Sequence, residues 1–181
     1  MRIALAFLTL AIAQQSIGHL HFDNTWLITL AERMLDGKTA YVDFLESNPP
    51  ASFLIYLPAV ALARLIGARV EFMVGFCIFA GGAAAIFLTG AILRRAQLLK
   101  PAEAGYLLNA ATFILFLLPG LSFGQREHFA VICILPLLAV HCARASGAPC
   151  RPPHAILAGL LAGVAVCIKP HFCLAILFPL A

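Results

Sequence analysis

Asp23 and Asn24 close an uncharged run of 20 residues, Ile3 to Phe22, so a carboxylate stands at the boundary of an apolar segment. A carboxylate held there can take the proton of an attacking hydroxyl. The same two residues also suit a helix start, with Asn24 accepting from free N–H groups ahead of Trp26. Asp43 and Glu46 lead into Asn48, Pro49 and Pro50, where the proline pair fixes the backbone and removes two donors before the next helix. Arg126, Glu127 and His128 form a knot between two uncharged stretches, Ala104 to Gln125 and Phe129 to His141. They supply an anion clamp, a carboxylate for metal or proton work, and a ligand or acid; as a plain turn they would be a local ion pair with a satisfied histidine. Lys169 and His171 flank Pro170 at the end of a further apolar run. A lysine there is a point charge suited to a lipid phosphate, although a helix C-terminus and snorkelling would favour it without any ligand.

Groups of this kind need a scaffold, and the composition says which. The chain has 181 residues, 62% of them hydrophobic and 11% charged, with a mean hydropathy of +0.98. Soluble domains carry roughly 25% charged residues. The uncharged runs of 22 residues at Phe72 to Leu93 and Ala104 to Gln125 match what a hydrocarbon layer requires of a helix. The reading is all-α: one polytopic transmembrane helical domain over residues 1–181, with in-plane amphipathic helices after the first span. Arg2 followed by Ile3 to Ala13 resembles a signal peptide, but the apolar run continues to Phe22, so an uncleaved first span is expected. The uncharged residues from Pro170 to Ala181 read as a helix just entering the bilayer, so the chain is expected to be the front portion of a longer protein.

The twelve basic residues are scattered between spans, which speaks against a nucleic acid partner. The six cysteines lie mostly in apolar runs without zinc-ligand spacing, and no structural disulfide is expected. Gly159, Gly163 and the alanines around them read as close helix packing, since no nucleotide-loop pattern surrounds them. Gln14 and Gln15 should face other helices.

The expected spans are residues 3–20, 71–93, 103–122, 129–143 and 155–169. Residues 24–36 show a 3.6-residue apolar period stopped at Gly37, with Trp26 at headgroup depth, and residues 51–66 form a second in-plane helix. If 51–66 do not cross, Arg2, Arg94, Arg95, Lys100, Arg144 and Arg151 share the cytoplasmic side with Glu103 alone among the acids. Asp23, Asp43, Glu46 and Glu127 then gather on the outer side, with Arg126, His128, Lys169 and His171.

The order of these pieces resembles the front half of the C-type glycosyltransferases, polytopic enzymes that use polyprenyl-phosphate sugars. The likeness is to the branch related to protein O-mannosyltransferases and the lipid A aminoarabinose transferase. It rests on Asp23 and Asn24 after the first span, the stretch to Met34, Leu35, Asp36 and Gly37, the loop Tyr41 to Glu46, and Asn48, Pro49 and Pro50. By resemblance Asp23 is the catalytic base on the exoplasmic side and Glu127 the second acidic site. Asp43 and Glu46 form the acidic loop, and Arg126 and Lys169 are the phosphate contacts. Asn24, His128 and His171 are supporting residues. The resemblance further implies a polyprenyl-phosphate-linked sugar and the lipid bilayer as partners, a glycan, lipid or protein acceptor, and the bacterial cytoplasmic membrane with the N-terminus inside. A divalent cation, with Glu127 as its ligand, is the cofactor it would allow. Asn24 stands where relatives often have a second acid, and Arg-Glu-His replaces the usual arrangement around Asp. Two other readings are open: a transporter or flippase, from the glycines 75, 81, 82 and 90 of one span, and a non-catalytic assembly subunit.

Overall fold

A computed structural model describes residues 2–18 and 21–177. The described chain is 75% helix and has no strand. Its α-helices are α1 (Arg2–Ile17), α2 (Phe22–Leu35), α3 (Ala51–Leu54), α4 (Leu57–Ile66), α5 (Val70–Arg95), α6 (Ala104–Thr112), α7 (Arg126–Ala145), α8 (Pro152–Ile168) and α9 (Phe172–Leu177). A π-helical turn at Phe113–Leu117 and a 3-10 turn at Gly120–Ser122 follow α6.

Among the described residues two helices are long and apolar enough to cross a membrane, α5 with 26 residues and α7 with 20. At 1.5 Å per residue they reach about 39 and 30 Å, against a hydrocarbon layer of about 30 Å. The charges of α5 suit its dipole, with Glu71 in the first turn and Arg94 and Arg95 in the last.

The other expected spans take different forms. The segment 103–122 is no single rod: its α-helix gives way after Thr112 to the π turn and then to Gly120–Ser122. The first span is expected to run to Leu20, but α1 ends at Ile17, and residues 19 and 20 lie outside the described ones, as do 178–181 of the C-terminal run. The axes of α1 and α2 diverge by 75°. α8 stops at Ile168, one residue before the bound expected, because Lys169 is extended. The expected stop at Gly37 holds, since this glycine takes a φ of 84° directly after the end of α2.

Small side chains set how the rods lie together. α7 and α8 are antiparallel: Ala139 and Ala143 of α7 share a cluster with Ala158 of α8, while Ala130 and Ile134 join Ala165. Gly159 and Gly163 do not take part, contrary to expectation. Both are exposed, an added Cβ would meet nothing within 4 Å, and they border a shallow cleft toward α3. The alanine face of α8 packs and its glycine face stays open. α5 and α6 are also antiparallel, with Gly82 against Phe116 and Gly90 against Leu107. α1 runs alongside α6, Phe7 touching Phe113 and Gln15 donating to the Gly120 carbonyl at 3.3 Å.

This packing sorts the charges. One end of the bundle carries Arg2, Arg94, Arg95, Lys100, Glu103, Arg144 and Arg151. The other carries the starts of α2, α5 and α7 and the end of α8, with Asp23, Glu71, Glu127 and Lys169.

Candidate functional site

The site lies where α2 begins, α7 begins and α8 ends. α2 is capped at its start by His21, whose ring Nδ1 accepts the Asp23 N–H at 3.3 Å. The cap is therefore His21, not Asn24. Asn24 falls inside the first turn, fully buried, and donates through Nδ2 to the Phe123 carbonyl at 3.0 Å. Because Asn24 turns inward, Asp23 beside it turns toward α7.

Asp23 meets Arg126 there, Nη2 to Oδ2 at 2.8 Å, with the guanidinium side chain 9% exposed and the carboxylate 35%. The other arm of the fork, Nη1, donates to Asn48 Oδ1. Arg126 thus ties the residue after the first apolar run to the loop ahead of Pro49 and Pro50. Its Nε is buried with no hydrogen-bond partner among the described residues.

Glu46 organises that loop. One oxygen accepts the Asn48 backbone N–H at 2.9 Å and its Nδ2 at 2.6 Å, and the other accepts the Trp26 indole N–H at 2.8 Å. Partial burial raises the pKa of Glu46, but the bonds from Asn48, Trp26 and Ser47 outweigh it and hold the carboxyl below its ordinary value. Asp43 lies elsewhere in the loop. It is exposed and accepts the Thr39 N–H at 2.7 Å, closing a local turn outside the cluster.

The adjacent residues Arg126, Glu127 and His128 go three ways because successive helix positions point about 100° apart. Glu127 accepts from Lys169, the first residue past α8. His128 is buried: Nδ1 accepts the Gly124 N–H at 3.1 Å, which leaves the proton on Nε2 to donate to the Leu115 carbonyl at 2.7 Å. With both nitrogens engaged it ties Gly124, ahead of α7, to the π turn, and it is not free to act as the ligand or acid expected. His171 is exposed, with its ring 4.7 Å from that of Phe172, and joins no part of the cluster.

No family model, curated protein or solved structure matches the chain.

Among the described residues no three His, Cys, Asp or Glu side chains converge in a way that could hold a metal ion. Glu127, the expected ligand, instead accepts from Lys169. The residues present do not fit a cation site.

Three contributors escape a reading by charge. Asn48 is the second partner of Arg126, and the Asn-Pro-Pro sequence was its only signal. Tyr56, fully buried between α3 and α4, donates to the Gly124 carbonyl at 2.7 Å. Burial pushes its hydroxyl above the ordinary tyrosine value, with the charge of Asp23 adding to the effect, so it remains a donor. Ser52 donates to the Ile168 carbonyl at 3.0 Å, tying the helix after the proline pair to the end of α8 beside Lys169.

Proposed function

We propose that this chain is a membrane glycosyltransferase that moves a sugar from a polyprenyl-phosphate donor to an acceptor outside the cytoplasmic membrane. One observation carries the reading. Asp23 and Glu127 sit at one end of the helix bundle, each beside a cation, Arg126 and Lys169, that could meet phosphate. Such a set can remove a proton from a nucleophile and stabilise negative charge on a leaving group within one site.

In the proposed reaction an acceptor hydroxyl oxygen bonds to the anomeric carbon as the bond from that carbon to the lipid phosphate breaks. The phosphate leaves with the electron pair, and the hydroxyl proton passes to Asp23. Displacement in a single step inverts the anomeric centre. Arg126 offers the positive charge of its guanidinium, and Lys169 a second cation, to the departing phosphate. Glu127 positions Lys169, while Glu46 and Asn48 position Arg126.

In this proposal the chain is polytopic, α2 and the α3–α4 pair lie in the plane of the bacterial cytoplasmic membrane, and the N-terminus is inside. The 75° divergence of α2 from α1 supports the in-plane arrangement, and the basic opposite end supports the orientation. A polyprenyl tail needs lipid and its sugar needs water, which favours a site at this boundary. α5 is continuous from Val70 to Arg95 despite four glycines, unlike the interrupted helices of carriers.

The test uses membranes holding the product of the native reading frame, supplied with labelled polyprenyl-phosphate sugars. Asp23→Asn should lower transfer by about 10²-fold or more while leaving membrane level and donor binding intact. Transfer at the native rate by Asp23→Asn would overturn the assignment.

A further inference from the structure

At the basic end, away from the acidic site, α1, α5 and α6 leave a groove with a cavity of about 560 Å³. We propose that it binds one acyl chain of an anionic phospholipid whose phosphate is held by Arg94. This inference stands apart from the transferase reading.

The groove exists because its walls are small. Ala4, Ala83, Gly90 and Gly105 line it; a Cβ on Gly105 would meet nothing within 4 Å, and one on Gly90 would meet only Leu107, at 3.8 Å. Its volume falls within the roughly 300–1,000 Å³ of small-molecule sites. Leu5 and Phe87 border it and are 64% and 72% exposed, so it opens onto the apolar flank of the bundle. An occupant entering from that side needs a long apolar chain.

The charge at its end selects the head. Arg94 is the one charged residue of the lining, and among the described residues no carboxylate lies within ion-pair distance of it. Arg2, Arg95 and Lys100 stand at the same end, so the field around the mouth favours an anion. A second copy of the chain would bring its own cationic end against this one if packed in parallel, which argues against self-association here.

Native mass spectrometry of the intact protein in mild detergent tests the proposal, with phosphatidylglycerol and phosphatidylcholine of identical chains as probes. The wild type should retain one lipid and favour phosphatidylglycerol by about tenfold, the range of one charge-assisted contact. Arg94→Gln should erase the preference and Arg94→Lys should keep most of it. Gly105→Leu fills open space and should exclude both lipids at unchanged thermal stability. An undiminished preference in Arg94→Gln, or undiminished lipid retention in a folded Gly105→Leu, would overturn the site. So would a lipid-free dimer closed over the groove. If Arg94→Gln does not fold, Gly105→Leu decides occupancy and the wild type decides the head, equal retention of the two lipids overturning the role of Arg94.

Discussion

The acidic site depends on bonds that can be broken one at a time. Glu46 has its pKa lowered in the folded protein, so the stability it lends is fully present above its ordinary value of 4.5. It is lost as pH falls through the lower folded value. Trp26 is the sole tryptophan and donates to this carboxylate, so its fluorescence reports the event directly. Emission should shift on acidification with a midpoint below 4.5, and Glu46→Gln should abolish the transition. Tyr56→Phe leaves the Gly124 carbonyl buried without its donor and should cost about 1–2 kcal/mol, read as a lower unfolding temperature in detergent. The sequence made Asp23, Glu46, Arg126, Glu127 and Lys169 visible because charge is conspicuous in so apolar a chain. It gave no sign of Tyr56, whose uncharged hydroxyl gains its role through Gly124, 68 residues away, and it showed Asn48 ahead of the proline pair without its bond to Arg126, 78 residues on.

Among the elements, those specified by apolar length and by turn chemistry were legible, and those shaped by tertiary packing were not. α5 follows from its uncharged run, and the stop of α2 from Gly37. The break of the segment after Thr112 has no comparable signal before Pro119. It accompanies the packing of Phe116 against Gly82 and Phe79, where an added Cβ on Gly82 would lie 2.5 Å from the Phe116 ring. That ring is buried and has little room to withdraw, so Gly82→Ala should destabilise by about 1–3 kcal/mol in thermal unfolding. Gly124 is held on two counts. Its φ is +79°, and a Cβ would approach Ile78 to 3.1 Å and Asn24 to 3.3 Å. Gly124→Ala should therefore disturb the buried Asn24 contact along with the fold, lowering the unfolding temperature further than Tyr56→Phe does. The glycines of α8 give the opposite lesson. Period and composition mark small residues, but only the packed structure says that the alanine face is covered and the glycine face open.

For the whole molecule, the segregation of charge was legible from span counting, because antiparallel helices carry alternate connections to opposite ends. The closeness of Asp23 to Arg126 was not, since it needs α2 to turn away from α1 and Asn24 to be drawn inward by Phe123. Everything proposed for function rests on the acidic end facing water on the outer side of the membrane. The most direct test is labelling of single cysteines by a membrane-impermeant maleimide in intact cells, after replacement of the six native cysteines. Lys38→Cys and Glu127→Cys should both react from outside, while Lys100→Cys should react only after permeabilisation. Reaction of Lys100→Cys from outside, or of Lys38→Cys and Glu127→Cys from opposite sides, would contradict the shared site and the transfer chemistry built on it.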